Sequence, residues 1–218
     1  MTHSPPLQDN CKPEIRPGVG CYGAGAFSLI ELLSVVAIIS LVAAFLVPSI
    51  GGIKSSQSFT KSLFDLAGIL DVARNEAQAK NSYVWVGLAE KPGIPGGLLA
   101  ATVVSLSGEA IITSDVEQSG RVYELSGMAF GAPVPGSPAG NHPIQDSDLG
   151  SFTQKAGGVP TQFSYLIRFS SNGEAVVKAN SVPNWVQIPL REAKPGSVNS
   201  AILDVSGLSG LVKIVREP

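Results

Sequence analysis

The feature that most constrains this chain is an uninterrupted apolar run. Residues 27–47 read FSLIELLSVVAIISLVAAFLV and carry a single charge, Glu31. As an α-helix rising about 1.5 Å per residue, the run extends roughly 30 Å, the thickness of a bilayer core, and can cross a membrane. A secretory signal has a shorter apolar core of about 7–15 residues before a small-x-small cleavage site. Ser49-Ile50-Gly51 is a poor match to such a site. A plain anchor accounts for the length but not for Glu31, because a carboxylate in a membrane helix costs about 2.5–3.5 kcal/mol and usually has a partner or a task.

Composition narrows the classes. At 218 residues with 44% hydrophobic and 15% charged positions, the chain suits one domain with its own core rather than two. A net charge of −2 gives no general basic field, so nucleic acid is not an expected partner. Lys194, Lys213 and Arg216 are too few to change that. Cys11, Cys21 and His3 all precede the apolar run, leaving His142 as the only histidine beyond it. Disulfide, thiolate and zinc chemistry are therefore not expected in the body, and neither a metal nor another cofactor is indicated. A lone histidine in a Pro/Gly-rich segment offers no supporting motif for a catalytic triad, so an enzyme is not expected.

The residues around Glu31 supply the third reading. Gly25-Ala26-Phe27-Ser28-Leu29-Ile30-Glu31, followed by the long apolar run, resembles the type IV prepilin motif shared by pilins and by the pseudopilins of type II secretion. The resemblance implies cleavage between Ala26 and Phe27 by prepilin peptidase, N-methylation of Phe27, and a glutamate, Glu31, at the fifth mature position. Ala26 stands where the family usually has glycine, with Gly25 one place earlier. Pro48 falls where many pilins kink, and Gly51 and Gly52 add a further weak point in the helix. Burying Glu31 or the new amine of Phe27 alone is expensive, so pairing them between or within subunits would set the register of a fibre. The expected partners are other pilin or pseudopilin subunits, prepilin peptidase, an inner-membrane assembly platform, and membrane lipid before assembly. The expected location is the bacterial inner membrane, single-pass with a periplasmic body, and then the fibre. Flanking charges do not orient the segment: Lys12 and Arg16 balance Asp9 and Glu14 before it, and Lys54 and Lys61 follow it.

Two motifs ahead of the run are decoys. Gly18, Gly20 and Gly23 spell G-x-G-x-x-G, but no strand precedes them and no βαβ unit contains them. Gly20-Cys21 lacks the preceding apolar stretch of a lipoprotein box.

Beyond Gly52 the pattern resumes as Phe59, Leu63, Leu66, Leu70, Ala73 and Ala77, an amphipathic helix to about Lys80. Lys61, Asp65, Arg74, Glu76 and Lys80 lie on its polar face. Short β-rich runs follow at 83–88, 101–106, 121–125, 163–169, 175–179, 185–190, 201–205 and 211–215. Ser171-Asn172-Gly173 reads as a hairpin with a type I′ turn. The expected fold is α+β and pilin-like: a long N-terminal helix, membrane-spanning in its first half and amphipathic in its second, packed on an antiparallel sheet. The expected divisions are a leader at 1–26, a transmembrane or fibre-core helix with its kink at 27–52, and a soluble body at 53–218. Residues 131–160, rich in Gly, Pro and Ser, are expected to form a flexible loop within that body. Asp146 and Asp148 there could contribute to a calcium site, though the spacing is not that of an EF-hand.

The segment 73–81, ARNEAQAKN, together with the 168–173 hairpin and the C-terminal strand pair, is similar to pseudopilin H and FimT-type minor pilins. A fainter likeness is to pilin-like proteins of the Verru_Chthon cassette type. Arg74 and Glu76 read equally well as a solvated helix face. The expected function is a minor structural subunit of a type IV pilus or type II secretion pseudopilus. The alternative is an exposed minor pilin whose body binds DNA, a surface or a secreted substrate.

Overall fold

A computed structural model describes residues 28–93, 96–108, 115–132 and 138–216, with side chains described throughout except at 45–54. The chain divides into two compact units, Met1–Leu46 and Val47–Pro218. The proposed leader, including Ala26 and Phe27, lies outside the described residues.

Helix α1 runs Leu29–Lys80 and enters both units. Its end is set by Asn81, the only non-glycine at positive φ (49°) among the described residues. That left-handed residue lets the Ser82 N–H reach back to the Ala77 carbonyl at 3.2 Å, the six-to-one bond that satisfies a terminal carbonyl. Within the second unit, Phe59, Leu63, Leu66, Leu70, Ala73 and Ala77 are all fully buried. The stripe spaced 4-3-4-3-4 is thus the face turned to the core, each large side chain contributing about 1.5–3 kcal/mol by burial.

The rest of the second unit is β-structure. Sheet A joins β1 (Val84–Glu90), β2 (Gly97–Ser105), β3 (Val116–Ser126), β8 (Tyr165–Phe169) and β9 (Ala175–Val176) in the order β3-β2-β1-β8-β9. Sheet B has the order β12-β11-β10-β4, from β4 (Met128–Phe130), β10 (Trp185–Glu192), β11 (Ser200–Ser206) and β12 (Val212–Arg216). The short β5 (Asn141–Pro143) pairs parallel to β10. A separate hairpin is made of β6 (Phe152–Ala156) and β7 (Val159–Phe163).

The main core joins the helix stripe to Val84, Val86 and Leu88 of sheet A and to Val186, Ile188 and Leu203 of sheet B. Alternation along β1 sends Trp85 and Ala89 to the opposite face, where a second core forms with Leu99, Val103, Phe152 and Phe163. Strands β1 and β2 are therefore buried on both faces, which is why β2 reads as a continuous apolar run. Gly87 makes room for the β6–β7 hairpin: a Cβ there would lie 2.6 Å from the Phe152 ring.

Several expectations need correction. Among the described residues no helix is long and apolar enough to cross a membrane. The single-pass span and the inner-membrane location therefore do not stand. Nor does the pilin-like plan of a half-membrane helix laid on one sheet: the body is mostly antiparallel strand, in two sheets and a hairpin. The expected flexible loop at 131–160 carries β5, a 3₁₀ turn at Ile144–Asp146, β6 and the start of β7. Its Gly157-Gly158 pair, with φ of 56° and 87°, makes the two-residue turn that positive φ permits. At the expected type I′ site only Gly173 is at positive φ (85°), and Ser170 and Glu174 close a three-residue loop instead.

Candidate assembly surface

In the first unit the helix begins on a cap. Ser28 Oγ accepts the Glu31 N–H at 3.3 Å, and the Ser28 carbonyl takes the N–H groups of Glu31 at 3.0 Å and Leu32 at 3.2 Å. Ser28-x-x-Glu31 is the sequence of a capping box, and a carboxylate in the first turn also favours the positive end of the helix dipole. Glu31 thus helps start the helix, besides being the only charge among residues 28–44.

The remainder of that stretch offers hydrocarbon to its surroundings. Every residue from 28 to 44 is exposed, with Leu29 at 82% and Ile38 at 64%. Its two interior hydroxyls are spent internally: Ser34 Oγ donates to the Glu31 carbonyl at 2.8 Å and Ser40 Oγ to the Val36 carbonyl at 2.7 Å. Such back-bonding leaves neither hydroxyl asking for water. Pro48, Gly51 and Gly52, the expected kink, fall inside the helix at the start of the second unit.

In the second unit, Arg74 and Glu76 are not a solvated face. Ser119 Oγ donates to Glu76 at 2.6 Å, and Lys80 pairs with it at 2.7 Å. The Arg74 side chain lies against two glycine turns, one from each sheet. A Cβ on Gly210 (φ 66°) would meet the Gly173 carbonyl at 2.4 Å and Arg74 Cδ at 2.9 Å. The arginine of the ARNEA segment therefore packs where the helix, the β8–β9 turn and the β11–β12 turn meet.

The other flagged residues have structural surroundings. Asp148 Oδ1 accepts the Ala179 N–H at 2.8 Å, and Asp146 lies 3.8 Å from Lys178 Nζ. Among the described residues no cluster of three or more His, Cys, Asp or Glu could hold a metal ion. His142 sits on β5 opposite Val186. Lys213 faces Asp204 across the sheet, and Arg216 donates to Thr60 Oγ1 at 3.2 Å.

Two features had no sequence expectation. One is Glu192, buried at the start of the β10–β11 turn, whose carboxylate accepts from Ser55 on the helix, from Ser197 Oγ at 2.8 Å and from Asn199 Nδ2 at 3.3 Å. The Ser55 hydrogen bond, then that of Ser197, holds its pKa below the ordinary value against the opposing effect of burial. The other is a cleft of about 720 Å³ between the outer flank of α1 and β3. Gly120 (φ 78°) and a register break opposite Ala101 bulge β3 at that point. Phe64 and Val72, at 60% and 64% exposure, line the helix side with Gly68 between them. The i, i+4, i+8 spacing of these three was legible in the sequence, but the bulge opposite them was not.

Comparison with protein-family models, curated proteins and solved structures returns no match.

Proposed function

We propose that this chain is a minor structural subunit of a fibre of the type IV pilus or type II secretion pseudopilus kind, matured by cleavage between Ala26 and Phe27 and assembled through its N-terminal helix. The observation that carries the reading is the coat of residues 29–44: apolar on every side, exposed along its whole length, with its hydroxyls turned onto its own backbone. A helix apolar all round needs cover on all sides, and several like helices side by side provide it. Glu31 gives such a bundle a register, because a buried carboxylate demands a cation at a fixed height and the amine freed at Phe27 is one. The ARNEA helix end packs against turns of both sheets of the second unit, through Arg74 beside Gly173 and Gly210.

N-terminal sequencing and mass measurement of the mature protein test the maturation step. A methylated Phe27 start is the expected result, and an intact Met1 or a start near Gly52 would refute it. Fibre incorporation of Glu31→Ala tests the assembly step: processing should persist while incorporation stops.

A further inference from the structure

The β6–β7 hairpin is anchored at one end. Phe152 and Phe163, its first cross-strand pair, stack with ring centres 5.2 Å apart in the second core, over Gly87. At the other end a Cβ on Gly157 or Gly158 would meet nothing within 4 Å, so the turn has open space around it. Between this end of the hairpin and strands β2 and β3 lies a pocket of about 180 Å³. Its apolar lining comes from Ala156 and Val159, the pair that flanks the turn, and from Leu99 and Val122 of the two strands. Lys91 pairs with Glu124, which stands directly across from Leu99 in the β2–β3 register. The two charged side chains line the same pocket and are 24% and 52% exposed, which puts the ion pair at its mouth. Apolar walls with a few polar groups that fix orientation are the anatomy of a small-molecule site.

We infer that this pocket takes a free α-amino acid with a branched aliphatic side chain, of the leucine class. Volume sets the side chain. An apolar cavity of about 150 Å³ accepts benzene, so this one holds an alkyl group of roughly four to six carbons. Charge sets the head group. A ligand with one charge would take one member of the Lys91–Glu124 pair and leave the other without its partner. A zwitterion inserts between them, its carboxylate accepting from Lys91 and its ammonium donating to Glu124, so that every charge keeps an opposite neighbour. Opening the pair costs little, because an ion pair this exposed contributes little to stability. A residue inside a peptide has neither free charge, which selects the free amino acid. The pocket lies wholly in the second unit and uses no residue of the assembly stretch 29–44, so this binding is independent of fibre formation.

Methyl-resolved NMR of the full chain titrated with L-leucine tests this. The expected result is a saturable shift of the Leu99, Val122 and Val159 methyl signals. Glycine, isocaproate and isoamylamine lack in turn the side chain, the ammonium and the carboxylate, and each should bind at least about tenfold more weakly than leucine. Lys91→Gln and Glu124→Gln, changes at exposed positions, should each weaken leucine at least about tenfold. Ala156→Leu fills the pocket and should abolish the shifts, with the main-core methyl signals serving as the check that the variant is folded. If it is not folded, the two charge variants carry the test alone. Isocaproate or isoamylamine binding as tightly as leucine would overturn the zwitterion, and glycine doing so would overturn the apolar pocket. No saturable shift up to the solubility limit of leucine would overturn the site, as would shifts that survive both charge substitutions unchanged.

Discussion

Helix α1 holds two apolar stretches whose surroundings are opposite. From Phe59 to Ala77 the apolar positions recur at 4-3-4-3-4, and all six are fully buried against two sheets. From Leu29 to Ala44 they do not recur at all, because nearly every position is apolar, and every one is exposed. The first stretch is written for cover from one side and finds it within the chain. The second is written for cover from all sides and finds none within its own unit. Periodicity thus reports how many sides of a helix will be covered, and composition alone does not.

Truncating the two stretches should separate them most sharply. Leu66→Ala removes a fully buried side chain at the centre of the main core and should cost about 2–5 kcal/mol in denaturant unfolding of the body. Leu33→Ala, on the exposed stretch, should change the same transition by no more than about 0.5 kcal/mol. Equal losses would erase the distinction. Next in size is Gly87→Val, which drives methyl groups into the Phe152 and Phe163 rings and should cost about 1–3 kcal/mol by overpacking, with loss of the β6–β7 hairpin in hydrogen exchange. Gly210→Ala should follow at about 1–3 kcal/mol, because the residue would need positive φ and would strike the Gly173 carbonyl.

The smallest effect is a pH dependence confined to the body. Glu192 has a folded pKa below its ordinary value of 4.5, so its contribution to stability is present above that value and is lost as pH falls through the folded pKa. Denaturant midpoints should therefore fall below about pH 4.5, and Glu192→Gln should flatten that part of the profile while lowering the midpoint at neutral pH. An unchanged acid limb in the variant would assign the acid sensitivity to other groups.

Much of the body was legible in the sequence for a simple reason: burial on one side leaves a period. The helix stripe was read residue for residue, and each expected β-run overlaps an observed strand. What escaped lacks a period. β4 and β5 are three residues each, and β6 and β7 lie in a Gly/Pro/Ser-rich stretch where only the Gly157-Gly158 pair marks a turn. That both faces of β1 and β2 are buried depends on this hairpin, which a local pattern does not reveal. Arg74 and Glu76 looked like surface because charge on a helix flank usually is, whereas Arg74 packs beside the turns at Gly173 and Gly210 and Glu76 accepts from Ser119, all far along the chain. Glu192 is invisible for the same reason: its donors lie at Ser55, Ser197 and Asn199. The apolar run was read for length and charge, and the structure replaces the membrane span expected there with an exposed apolar helix surface.

The claim that residues 29–44 are kept for other copies of the chain is tested most directly by fibre incorporation of Ile38→Glu, measured by sedimentation alongside thermal unfolding of the same sample. A carboxylate at this exposed position should abolish incorporation and leave the unfolding of the body within about 0.5 kcal/mol of the parent chain. Incorporation at the parent level, or a body destabilised by several kcal/mol, would contradict the account.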